Sequence, residues 1–421
     1  MSLDAWLEAQ EKASAAHIAA AVSATGLRHH RPVFDITITP APGSVLASPE
    51  PSLWDPEPDY FYHWARDAGV VMLVAPVLRE RDAAAGWERR FAEYVRFSHL
   101  IATRAGPAKN PLRATTPPEH QRFLRPDDEL AALTGDDALL NEPRANADGT
   151  VDVERWSRPQ FDGPALRALS CLAWDGPVPA GMDALLALDL GHVLRHAALP
   201  TIGPWEEEPA ALHVFTLLAQ RAALRAGAAG RLAPGPTQSA LARIEVALDT
   251  LWNDAGGHMR ASTVAAPGDS DANVILGALL CAPEEATFGI DDPRIVATAA
   301  HVERWSAEAY GIVSAEAPLV GRWPGDVFFG GNPWLPTSFG FAEFYYRRAT
   351  RMAARQEAAE TVARGDAFLA AVSRHIPEPG PLPEQLDKAT GAPVSSRNLT
   401  WSHAALIAAA EARRNALRRL G

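Results

Sequence analysis

A chain of 421 residues with 47% hydrophobic and 21% charged residues has the makeup of a soluble globular protein and can bury a large core. Its formal net charge of -12 argues against nucleic acid as a partner, because binding phosphates takes clustered Lys and Arg that displace counterions. Glu8, Glu11 and Lys12 break the N-terminal apolar stretch, so no secretory signal and no membrane span is expected. The compartment stays open between the cytoplasm and a secreted or periplasmic protein whose leader has been removed.

Apolar residues recur at helical spacing from end to end, and few stretches alternate as a sheet would, which predicts a mostly α protein. In chain order, helices are expected at 4–25, 66–80, 82–103, 162–175, 181–195, 209–227, 237–253, 271–281, 292–310, 333–352, 354–375 and 398–418. Asp4 can cap the first and Gly26 end it; Pro209 suits the first turn of the sixth and Gly227 stops it; Asn398 can cap the last. Long connections at 26–65, 104–161, 254–270, 311–332 and 376–397 carry aromatic and charged residues instead of Ser and Gly tracts, the makeup of loops that build a site. No linker divides the chain and no repeat is legible, so 1–421 reads as one domain without an accessory module. Six helical hairpins could close into a double ring, an (α/α)6 barrel, or stack as a solenoid, and periodicity alone does not choose. Cys171 and Cys281 lie in apolar helical stretches and read as buried thiols.

Four blocks could carry chemistry. "DPEPDYFYHWARDAGVV" (55–71) sets Arg66 and Asp67 at a helix start after Tyr60, Phe61, Tyr62 and Trp64. This is either a core with a first-turn carboxylate or a sugar subsite, where aromatic faces stack on a pyranose and a fixed Arg and Asp bind its hydroxyls. "RWSRPQFDGPALRA" (155–168) sets Trp156 on a loop before a helix, and "GRWPGDVFFGGNPWLPTSFGFAEFYYR" (321–347) places Arg322, Trp323, Asp326 and Trp334 on a loop where Gly330 and Gly331 permit unusual backbone angles. "GPWEEEPAALHVF" (203–215) is either a helix start rich in carboxylates or the seat of a proton donor, since adjacent carboxylates and an apolar wall both raise a carboxyl pKa. The C-terminal "PLPEQLDKATGAPVSSRNLTWSHAALIAA" (381–409) reads alone as a surface loop and a cap. HExxH, CxxC, a phosphate loop and GxSxG are all missing, so neither a catalytic metal nor a cofactor is expected.

Taken together, "LDAWLEAQ", "PDYFYHWARDAGVV", "RPQFDGPALRA", "WEE", "RWPGDVFFGGNPW" and "EQLDKATG" followed by "SSRNLTWSHAAL" resemble glycoside hydrolase family 15, the glucoamylase family, over nearly the whole chain. The resemblance implies an all-α (α/α)6 barrel of about twelve helices, acting as an exo-acting inverting α-glucosidase. Terminal α-1,4- or α-1,6-linked glucose would leave the nonreducing ends of oligosaccharides as β-glucose. It implies Glu206 as general acid and Glu384 as general base. Glu207, Arg66, Asp67 and Arg322 would bind substrate, Tyr60 and Ser395 would hold the base and its water, and Trp64, Trp156, Trp205, Trp334 and Trp401 would line the pocket. The chain departs from the family pattern at Gly203, Pro204, Trp323, Gly325, Asn398 and His403 and in the turn after Glu208. A narrower substrate, such as an isomaltose-type oligosaccharide, trehalose or another small α-glucoside, is therefore the alternative, and a barrel that only binds glycans a further one.

Overall fold

The computed structural model describes residues 1–53, 57–134 and 137–421. The first two residues of the block that opens at Asp55 thus lie outside the described residues. The chain forms two compact units, a first from residues 1–18, 211–222 and 242–421 and a second from residues 19–210 and 223–241.

Among the described residues there are fourteen α-helices: α1 (Leu3–Ala21), α2 (Ala65–Leu73), α3 (Ala75–Arg81), α4 (Trp87–Thr103), α5 (Asp127–Ala131), α6 (Asp162–Ala173), α7 (Met182–His196), α8 (Val214–Gly227), α9 (Pro234–Asp249), α10 (Asn273–Cys281), α11 (Pro293–Ala309), α12 (Leu335–Ala349), α13 (Arg355–His375) and α14 (Thr400–Leu420). Four short antiparallel ladders accompany them: β1 (His29–Arg31) with β2 (Ile36–Ile38), β3 (Tyr62–Trp64) with β4 (Arg144–Asn146), β5 (Trp252–Asn253) with β6 (His258–Met259), and β7 (Gln385–Leu386) with β8 (Pro393–Val394). No helix among the described residues is long and apolar enough to cross a membrane.

The twelve expected helices are all present, with local differences that have physical causes. The one expected at 66–80 is two, because Pro76 sits in the first turn of α3 and has no N–H to continue the α2 ladder. The one expected from residue 82 starts at Trp87, since the Asp82 side chain accepts from the N–H groups of Ala84 and Ala85 and caps a separate 3-10 turn. Gly26 does not end α1, which stops at Ala21 where Val22 bridges to Val45. Asn398 does not cap α14: the cap position is Leu399, and Asn398 instead meets His403 and His17. Pro209 does not open α8, which begins five residues later at Val214.

In the first unit α10 is apolar all round, and every residue but Leu280 is buried. It packs on α12, which also carries α13 and α14. At Gly365 of α13 a methyl group would sit 2.6 Å from the Tyr346 ring of α12, so only glycine admits that approach. Each Leu or Phe fully buried in this core contributes about 1.5–3 kcal/mol. Both cysteines are buried and outside any disulfide.

In the second unit the α2–α6 contact does the positioning. A methyl on Gly69 would lie 2.8 Å from Leu166 Cβ, and one on Gly163 would lie 2.7 Å from Ala65 Cβ. Glycine on each side therefore brings the two helix starts together, and Arg66 of α2 comes within 3.6 Å of Asp162 of α6. The β3–β4 ladder pairs Trp64 with Arg144 immediately before α2.

Candidate active site

Both carboxylates expected to do chemistry are at the centre of a hydrogen-bonded cluster, one in each unit. In the second unit Glu206 stands on a loop with a φ of 64°, a left-handed conformation that non-glycine residues rarely adopt. Its Oε1 accepts from Trp64 Nε1 at 2.8 Å, Gln160 Nε2 at 3.0 Å and Arg66 Nη2 at 3.3 Å, and its Oε2 accepts from Trp156 Nε1 at 2.6 Å. The side chain keeps 15% of its surface in solvent. A carboxyl so held has one orientation, and the donors come from two segments remote in sequence.

Arg66 is the hub of this cluster. Its Nη1 donates to Gln160 Oε1 at 3.0 Å, and its Nη2 lies 3.3 Å from Asp67 Oδ2. Three carboxylates thus surround one buried guanidinium. Burial pushes Asp67 up to about 6, against the pull of Arg66 and with help from the Glu206 and Asp162 charges, and burial raises Asp162 as well. Asp67 Oδ2 and Arg66 Nε are buried without a hydrogen-bond partner among the described residues.

An aromatic wall stands behind the acid. The Trp64 ring meets Tyr60, Tyr62 and Trp156 edge-on at centroid distances of 5.5, 5.5 and 5.8 Å. The Arg144 guanidinium lies 3.7 Å from the centre of the Trp156 ring, 4.0 Å from that of Tyr62 and 5.0 Å from that of Trp64. Trp205 is half-buried, and Glu207 and Glu208 are exposed. Because α8 begins only at Val214, Glu208 is not the helix-start carboxylate that the sequence suggests.

In the first unit Glu384 is buried at 5% exposure. Its backbone N–H donates to Ser396 O at 2.7 Å and its carbonyl accepts from Leu335 N at 2.9 Å, while Ser395 Oγ donates to its Oε2. The β7–β8 ladder that begins at the next residue is anchored by Asn332, whose Nδ2 donates to Gln385 Oε1 at 3.0 Å. Trp334 and Trp401 meet edge-on at 5.3 Å. Arg322 is clamped by Asp326, with Nε to Oδ2 at 2.8 Å and Nη2 to Oδ1 at 2.5 Å.

The second unit gathers Tyr60, Trp64, Arg66, Asp67, Trp156 and Glu206; the first gathers Arg322, Trp334, Glu384, Ser395 and Trp401. Sequence reasoning missed Gln160, Asp162 and Arg144 as members of the acid cluster. The first two lie inside the quoted "RPQFDG" stretch, so the signal was present without a partner to interpret it. It also missed His403, which bonds Asn398 at 2.9 Å and Ser14 at 2.8 Å and stacks on His17 at 4.6 Å, tying α14 to α1.

The family pattern described as Glycosyl hydrolases family 15 matches residues 131–411. The chain is 27% identical to "Glucoamylase-1" of Schizophyllum commune, with 98% of this chain and 75% of that protein covered. Among solved structures it resembles "Glycoside Hydrolase Family 15 Glucoamylase from Hypocrea jecorina" with a TM-score of 0.78 at 22% identity, over 98% of this chain and 72% of that one. It also resembles "Glucoamylase from Saccharomycopsis fibuligera" with a TM-score of 0.74 at 22% identity, over all of this chain and 96% of that one. These structural likenesses show the fold, and it is the all-α (α/α)6 class expected from the sequence. With the match extending over residues 131–411, more than half of the chain, this protein belongs to glycosyl hydrolases family 15 and is a glycoside hydrolase.

Proposed function

We propose that this enzyme is an exo-acting, inverting α-glucosidase of the glucoamylase type, with residues 1–421 serving one catalytic domain. Its substrate would be an oligosaccharide or small α-glucoside, cleaved at the nonreducing end to release β-glucose. The observation that carries the reading is the set of four donors on Glu206, from Trp64, Trp156, Gln160 and Arg66. The likeness to proteins named glucoamylase supports it.

In this reading Glu206 is the general acid and its proton has a defined seat. Oε1 accepts three hydrogen bonds, which saturates its lone pairs, whereas Oε2 accepts only the Trp156 bond. The transferable proton therefore sits on Oε2 and passes to the glycosidic oxygen as positive charge develops at the anomeric carbon. Glu384, ionised, takes a proton from a water that attacks the opposite face, and the anomer inverts. Ser395 fixes the Glu384 carboxylate, and Tyr60 shares in holding the base and its water.

Asp67 Oδ2 and Arg66 Nε are suited to accept from and donate to the hydroxyls of the terminal glucose. Glu207 and Arg322 add further hydroxyl contacts, and Trp64, Trp156, Trp205, Trp334 and Trp401 present ring faces to the sugars. Release of glucose by the purified chain from maltose, isomaltose, their longer homologues and trehalose, at matched concentrations, tests the function. Glucose from at least the first two series is expected. No glucose from any of them would refute the proposal.

A further inference from the structure

In the second unit Arg144, which lies against the tryptophan wall, also lines a pocket together with His63 and Arg104. Its walls are largely apolar, with Ile101, Leu139, Leu140 and Val151 among them, yet three N–H donors of its lining residues are buried without an acceptor among the described residues. They are His63 Nε2, Arg144 Nη1 and Arg104 Nε. Leaving such donors unmet is unfavourable, and more so for charged ones.

The donor character of each is fixed. His63 Nδ1 accepts from Val45 N at 3.0 Å, so the ring proton is on Nε2. Burial holds this imidazole far down, to about 3, so it is neutral and donates through that one atom. Arg144 spends Nε on Asp152 at 2.9 Å and approaches Glu154 with Nη2 at 3.9 Å, which leaves Nη1 toward neither carboxylate. The other two charged groups of the lining each have a charged partner. Arg167 pairs with both oxygens of Asp189 at 2.9 and 2.6 Å, and Glu142 Oε2 accepts from Arg125 at 2.8 Å and Arg158 at 2.7 Å.

We propose that this pocket binds a small inorganic anion of the chloride class, held by His63 Nε2–H, Arg144 Nη1–H and Arg104 Nε–H. Apolar walls favour a weakly hydrated ion, and three donors without an acceptor favour negative charge over a second cation or a neutral solute. The ion completes the surroundings of Arg144, whose guanidinium lies against the Trp156 and Trp64 rings that donate to Glu206.

The test uses the full chain. Crystals soaked in sodium bromide are measured for anomalous scattering, and thermal unfolding is followed in sodium chloride and in sodium isethionate at equal ionic strength. A bromide peak within hydrogen-bond reach of His63 Nε2 and Arg144 Nη1 is expected, with a Tm about 2 °C higher in chloride than in isethionate. In Arg104→Gln, a change at a partly exposed position, the chloride increment should disappear. Water alone in the pocket, equal Tm values in the two salts, or an undiminished increment in Arg104→Gln each overturns the proposal. A bromide peak without a chloride increment shows binding at crystal concentration only and overturns it too.

Discussion

Trp156 donates its indole N–H to Oε2 of Glu206 at 2.6 Å, the one bond on the carboxyl oxygen that the other three donors leave open. Because this bond aims the oxygen assigned to carry the proton, Trp156→Phe keeps the ring over Arg144 but frees the carboxyl to turn. A hydrogen bond between neutral groups contributes about 0.5–1.5 kcal/mol, so kcat should fall roughly 2- to 10-fold with a smaller change in KM. Steady-state kinetics on maltose or isomaltose checks this, and an unchanged kcat would contradict the assignment.

Glu206→Gln and Glu384→Gln each preserve shape and remove one proton-transfer group. Each should lower kcat by about 10²–10⁴-fold while glucose binding, followed by calorimetry, stays close to that of the parent. Near-normal turnover in either variant would remove that residue from its role.

Arg66→Ala strips the cation from a buried trio of carboxylates, Asp67, Asp162 and Glu206. Breaking a buried pair on one side typically costs about 3–5 kcal/mol, so the variant should unfold at clearly lower denaturant. Where it remains folded, kcat should fall and KM should rise together, since the same guanidinium orients Glu206 and, in the proposed function, binds the substrate. Loss of stability with unchanged kinetics would confine Arg66 to a structural role.

Asp67 supplies a pH signature. Its carboxyl is raised by burial from 3.8 to about 6, so between these values the folded chain binds the proton and the unfolded chain does not. Stability from this group is therefore greatest below about pH 4, declines as pH rises toward 6, and is flat above, a change of up to about 3 kcal/mol. Denaturant unfolding of the parent and Asp67→Asn at pH 4, 5, 6 and 7 should give a difference that changes through that window. A difference independent of pH would mean that Asp67 is not held up in the fold.

Gly331 has a φ of 66°, and a methyl group on it would lie 1.9 Å from the Asp326 carbonyl oxygen. Gly331→Ala must displace the turn that carries the Asp326 clamp on Arg322. Stability should drop by about 1–3 kcal/mol and KM should rise, as measured by thermal unfolding and kinetics on the same preparation. A variant matching the parent in both would mean that the turn does not position Arg322.

The helices were legible because their apolar period is local: α10, α12 and α14 each announce a buried face or body within their own residues. The start of α8 was not, because Pro209 signals a helix only locally. The following residues are drawn into extended pairing with a distant loop, with His213 bridged to Ser262 and Val214 N donating to Ala261 O at 2.9 Å. Within the site, Trp64, Arg66 and Trp156 stood out as residue types. Gln160 and Asp162 gained meaning only through the α2–α6 contact at Gly69 and Gly163, and Arg144 only through its pairing with Trp64 across β3 and β4. His403 read as a departure from a family pattern until its partners Ser14 and His17, nearly four hundred residues away in sequence, were in view.

The proposed chemistry is an inverting hydrolysis in which Glu206 gives a proton and Glu384 takes one. Proton NMR that resolves the anomers of newly released glucose, run in the first minutes on maltose and on isomaltose, tests it most directly. β-Glucose is expected first, with α-glucose growing in only by mutarotation, and neither signal above background in Glu206→Gln or Glu384→Gln. α-Glucose as the first product would contradict it.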